Sequence, residues 1–168
     1  MTAQGERFGI DELAPPPAPD DPNLSELMAA ANRLRSHAFK PGYFLPLDFI
    51  APGQVRAPWL ETNLAGGYKQ GPATWAQVAQ EMESARDDLE AIHAALKNPA
   101  AVSAVNYRTF GLFGAVVIAK RETAQWLALE SIEQLHRNDL AAAQGTLRAL
   151  AALARLHRND LTLVRSFR

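Results

Sequence analysis

Apolar residues recur at helical spacing in four stretches of the 168-residue chain, and between these stretches the pattern gives way to proline, glycine and aromatic residues. Leu24, Leu27, Met28, Ala31 and Leu34 form the first stripe, on a helix that opens near Asn23. The second stripe is the most regular: Trp75, Val78, Met82, Ala85, Leu89, Ile92 and Leu96 alternate steps of three and four, as a heptad seam does. Thr74-Trp75-Ala76-Gln77 has the form of a capping box and Asn98-Pro99 is a stop, so one helix is predicted from Thr74 to Asn98. A third helix runs from about Thr109 to His136; its first half is apolar nearly all round and should lie at the centre of the core. The fourth, Leu140 to His157, carries Leu140, Ala143, Leu147, Leu150 and Ala154 on its predicted buried stripe. A further helix begins at Leu161, with Val164 and Phe167 apolar, and reaches barely two turns by Arg168. So short a helix buries little alone, which points to a partner or to a chain truncated at its C-terminus.

The hexapeptide Leu-His-Arg-Asn-Asp-Leu occurs at Leu135–Leu140 and again at Leu156–Leu161. Positive charge suits a helix C-terminus, asparagine tolerates the left-handed conformation that ends many helices, and aspartate is a preferred N-cap. Both strings are therefore predicted to be tight junctions between helices. Ala14 to Pro22 is proline-rich and must be extended, so residues 1–22 read as an arm and residues 23–168 as one helical domain. Phe39 to Pro72 holds Pro41, Pro46, Pro52, Pro58 and Pro72 among five glycines, which excludes a regular helix. Its aromatics, including Tyr43, Phe44, Phe49, Trp59 and Tyr68, do not belong in a solvated linker. The expectation is a long ordered loop laid across the helices, and such loops often carry binding.

Charge and composition then narrow the classes. A net charge of −1 provides no general attraction to nucleic acid or anionic membrane, although from Arg148 onward Arg148, Arg155, Arg158, Arg165 and Arg168 stand against a single acid, Asp160. No cysteine is present, which excludes disulfides, thiolate nucleophiles and cysteine metal sites. The most apolar stretch, Phe110–Ala119, is far short of the roughly twenty residues that span a bilayer. With no signal-peptide pattern at the start, a soluble, by default cytoplasmic, protein is expected.

Candidate chemistry is sparse. Two Glu-x-x-His strings, Glu90–His93 and Glu133–His136, could supply half the ligands of a carboxylate-bridged di-metal bundle. The predicted fourth helix offers no acid to complete the set, so helix-end histidines are the better account, and no cofactor is expected. Neither a nucleophile motif nor a phosphate-binding loop occurs. The acids Glu81, Glu83, Asp87, Asp88 and Glu90 read as a solvated face.

Asn138-Asp139-Leu140-Ala141-Ala142-Ala143 resembles the turn between paired helices of tetratricopeptide-type repeats. More of the chain is similar to an uncharacterised bacterial all-helical family. The residues that carry this likeness are Ala14–Asn23, Trp75, Val105-Asn106-Tyr107, Phe110-Gly111 and Leu147–Leu156, with the order at Phe110-Gly111 reversed relative to that family. The resemblance implies antiparallel helical hairpins and assigns no activity. The sequence thus predicts an all-α fold, a helical bundle or short solenoid of hairpins with a long Pro/aromatic-rich loop. Its expected function is a non-catalytic protein-interaction or scaffold module, binding a protein partner or itself. The expected contacts are Tyr43, Phe44, Phe49, Trp59, Tyr68, Val164 and Phe167. The alternative is a small-molecule- or metal-binding bundle, with or without catalysis, that uses Glu90, His93 and the loop aromatics, with Glu90, His93, Glu133 and His136 as the metal set.

Overall fold

The computed structural model describes residues 22–37, 39, 48–60, 68–98 and 110–158. These are mostly helical with one small antiparallel sheet. In chain order they form α1 (Pro22–Leu34), β1 (Asp48–Ala51), β2 (Gln54–Leu60), β3 (Tyr68–Thr74), α2 (Trp75–Ser84), α3 (Arg86–Lys97), α4 (Phe110–His136) and α5 (Leu140–Arg158). Pro22 occupies the first position of α1, where its missing N–H costs nothing. The arm predicted over residues 1–22 otherwise lies outside the described residues, as does the helix predicted from Leu161.

Helices α1, α3, α4 and α5 surround one core. α1 runs antiparallel to α3: Asn23 Nδ2 donates to the Asn98 carbonyl (3.1 Å) at one end, and Arg33 Nε donates to Asp88 Oδ1 (2.5 Å) near the other. Leu24, Leu27, Ala30 and Leu34 of α1 join Leu89, Ile92, Ala95 and Leu96 of α3 in the buried cluster, as their spacing requires. The end of α1 is also tied to α4 through Arg35 Nε and Glu122 Oε2 (3.0 Å). Phe39 is fully buried and meets Trp126 of α4 edge-on, with ring centroids 5.7 Å apart. Truncating so large a core side chain costs about 3–5 kcal/mol.

Three expectations are corrected. First, the Phe39–Pro72 segment is not loop throughout but supplies most of a β1-β2-β3 meander. Val55 and Ala57 of β2 and Ala73 of β3 are buried while Gln54, Arg56 and Pro72 are exposed, the period-2 alternation of a half-buried sheet. Pro58 and Pro72 sit at edge positions, where a strand tolerates a missing N–H. Pro72 is on edge strand β3, and β1 pairs with β2 only as far as Arg56, so β2 has one neighbour at Pro58 among the described residues. Pro52-Gly53 makes the β1–β2 turn, with Gly53 at φ 73° as a type II turn demands.

Second, the helix predicted from Thr74 to Asn98 is two helices broken at Ala85 (φ −97°, ψ 3°). Ser84 Oγ donates to the Glu81 carbonyl (2.8 Å), a local bond that competes with the helical ladder. The apolar seam survives because Met82, Ala85 and Leu89 remain buried on both sides of the break.

Third, α5 is turned relative to its predicted stripe. Ala143, Thr146, Ala149, Leu153 and Leu156 are buried, while Leu140, Leu147 and Ala154 face solvent. On the buried face Thr146 donates to the Gln134 side chain of α4, beside Ala149, Leu153 and Leu156.

Candidate interaction surface

The Leu135–Leu140 string forms the expected junction between α4 and α5. Asn138 adopts φ 61°, its N–H donates to the Leu135 carbonyl (3.0 Å), and the Asp139 N–H donates to the Gln134 carbonyl (2.9 Å). That pair of bonds is a Schellman motif. Asp139 Oδ1 then accepts the Ala142 N–H (3.0 Å) as the N-cap of α5. Of the second copy, Leu156–Arg158 continue α5 and the remainder lies outside the described residues.

This junction holds His136, the last residue of α4, against an aromatic ledge. Thr74 and Gln77 cap α2 reciprocally, the Thr74 N–H donating to Gln77 Oε1 (2.8 Å) and the Gln77 N–H to Thr74 Oγ1 (3.3 Å). The box fixes Trp75 as the first helical residue. The Trp75 ring stacks on His136 with centroids 3.8 Å apart and planes 8° from parallel, and Phe49 of β1 tilts against Trp75 at 5.8 Å. Phe49 remains 70% exposed, and its neighbour Ile50 is 39% exposed. Three elements thus converge to hold aromatic surface at the solvent boundary.

A second exposed apolar surface lies along α5. Leu140 is 63% and Leu147 52% exposed, and Gln144, Ala151 and Ala154 on the same side are exposed too. Leu135, at the end of α4, is 50% exposed. Sequence reading missed this face because it placed Leu140 and Leu147 inward. Of the predicted contact residues, Phe49 is on the ledge. Trp59 and Tyr68 lie on paired strands, opposite Lys69 and Leu60, with side chains outside the described ones. Tyr43, Phe44, Val164 and Phe167 fall outside the described residues altogether.

The four predicted metal ligands do not form a set. Glu90 is exposed, and His136 lies on Trp75. Glu133 is buried, with Oε1 3.0 Å from Arg137 Nε. Burial pushes its carboxyl above the ordinary value of 4.5, against the opposing pull of Arg137 and His136. His93 Nε2 pairs with Glu130 Oε2 on α4 (2.8 Å) rather than with Glu90. Glu130 Oε1 accepts from Gln134 Nε2 (3.1 Å), and Gln134 Oε1 accepts from Thr146 Oγ1 (2.9 Å). A polar chain therefore crosses from α3 through α4 to α5, and it satisfies the buried Gln134 and Thr146. Among the described residues no group of three His, Asp or Glu side chains is placed to hold a metal ion.

One further cluster has the composition of a hydrolytic triad. Ser84 Oγ lies 3.4 Å from His37 Nδ1, and His37 Nε2 lies 3.6 Å from Asp88 Oδ2. The chemistry is otherwise committed: the Ser84 hydroxyl proton goes to the Glu81 carbonyl, and Asp88 is engaged by Arg33. At 3.6 Å the aspartate makes no hydrogen bond that could orient the imidazole. His37 also packs edge-on against Trp126. The cluster joins the end of α1 to α2 and α3.

No family model, curated protein or solved structure matches this chain. The resemblance of Asn138–Ala143 to tetratricopeptide hairpins therefore rests on those residues alone. No helix among the described residues is long and apolar enough to cross a membrane.

Proposed function

We propose that this protein is a non-catalytic protein-interaction module, built as helical hairpins of the kind the Asn138–Ala143 turn resembles. The observation that carries this reading is apolar surface held outward on folded elements. Phe49, Leu140 and Leu147 are each more than half exposed; the two leucines stand on a helix whose opposite face is buried, and Phe49 leans on the Trp75 ring. Grouped exposed apolar residues on a folded domain mark contact sites, whereas scattered single ones need no explanation. The polar clusters support the same reading, because their hydrogen bonds are spent within and between helices.

A second reading, a small-molecule-binding bundle, draws on the His93–Glu130 pair, in which a carboxylate orients an imidazole at a partly exposed position. Among the described residues no hydrogen bond or ion pair links that pair to the aromatic ledge or to the outer face of α5, so the first reading accounts for more of the surface.

The test is the native size of the chain in an extract of its source cell. Under the proposal it elutes in an assembly larger than the monomer, and the double variant Leu140→Ser, Leu147→Ser shifts it toward monomer without loss of thermal stability. Wild-type protein eluting as a free monomer contradicts the proposal.

A further inference from the structure

We infer that the outer face of α5 is a docking surface for an acidic amphipathic helix of a partner protein; this rests on the interaction reading above and names its partner's chemistry. Leu140, Gln144, Leu147, Ala151 and Ala154 are spaced four, three, four and three residues apart and are all exposed. That is the seam spacing of a helix that meets another helix. From Leu140 to Ala154 the stripe runs about 21 Å, at 1.5 Å per residue. Its two leucines lie toward one end, and the alanines toward the other let a second backbone approach closely. Arg148 and Arg155, one heptad apart, are exposed along one side of the stripe, and neither has an ion-pair partner among the described residues. No acidic residue occurs anywhere in Leu140–Arg158.

Charge decides the occupant. A second copy laid α5 against α5 brings arginines toward arginines with no carboxylate between them. A lipid surface is served by larger apolar side chains than Ala151 and Ala154. A helix with leucines on one stripe and glutamates beside it satisfies both the apolar seam and the two guanidinium groups.

The experiment uses the full chain and a fluorescent 21-residue helical peptide with leucine at heptad spacing and flanking glutamates, read by anisotropy. Controls are the same peptide with lysine for glutamate, and vesicles of anionic phosphatidylglycerol. The acidic peptide should bind, the lysine peptide should not, and Arg148→Glu with Arg155→Glu should weaken the acidic peptide by about tenfold, as two exposed ion pairs allow. Leu147→Ser should weaken it as well. Acidic-peptide binding indifferent to both sets of substitutions moves the site off α5 and overturns the inference, while the interaction reading stands. Failure of either peptide to bind, with self-association seen by sedimentation and abolished by Leu147→Ser, assigns the face to a second copy and likewise overturns only the inference. Binding to vesicles alone, or to nothing with a monomer in solution, overturns the inference; a free monomer in the source-cell extract then removes the interaction reading as well.

Discussion

Replacing Thr146 by valine tests how much the Thr146–Gln134 hydrogen bond contributes to the seating of α5. Thr146 is 1% exposed and its hydroxyl donates to Gln134 Oε1 at 2.9 Å, while Gln134 is itself 8% exposed. Valine has nearly the same shape, so no cavity opens, and the change isolates the hydrogen bond. What remains is a buried amide oxygen without its donor, which costs about 1–3 kcal/mol. At this chain length each kcal/mol moves Tm by about 2–4 °C. Urea denaturation should therefore show a lower midpoint for Thr146→Val with an unchanged slope. The same substitution in a Gln134→Met background should cost clearly less, because the orphaned oxygen is no longer there. An unchanged midpoint, or losses that simply add across the two backgrounds, would refute the coupling of Thr146 to Gln134 across α4 and α5.

Asp139→Ala removes the N-cap bond to the Ala142 N–H and should cost about 1 kcal/mol in denaturation; an unchanged midpoint takes that role away from Asp139. Gly145 lies inside α5, and an added Cβ meets nothing within 4 Å. Gly145→Ala should therefore raise stability by about 0.5–1 kcal/mol, and a loss would mean that the helix surface is not open there. Glu133 has its carboxyl pKa raised by burial. The folded state then binds that proton more tightly than the unfolded state, so stability falls as pH rises above the ordinary value of 4.5. Glu133→Gln should compare more favourably with wild type at pH 7 than at pH 4, measured by Tm; the opposite trend would show that the Arg137 pair outweighs burial.

Local chemistry was the legible part of the fold. The α4–α5 junction follows from Asn138 and Asp139, whose preferences for a left-handed cap and an N-cap act within a few residues. The Thr74–Gln77 box and the buried seam from Val78 to Leu96 are local in the same sense. What escaped depends on partners distant in sequence. The alternation Val55, Ala57 is too short to stand out against the surrounding prolines, and only pairing with β3 makes it a strand. The break at Ala85 falls among ordinary helix formers and leaves the apolar period intact. Glu90 is three residues from His93, yet the imidazole pairs with Glu130, 37 residues away on another helix. The outer face of α5 was hidden because Leu147 fits an inward stripe as well as an outward one. The stripe that is buried includes Thr146, a residue that hydrophobic pattern does not weigh.

The most direct test of the central claim is photo-crosslinking in the source cell. A photoreactive residue replaces Leu147 on the outer face of α5, and in a second strain it replaces Ala94, which is exposed on α3. The account predicts one discrete protein adduct from position 147 and none from position 94. No adduct from 147, or the same adducts from both positions, would contradict it.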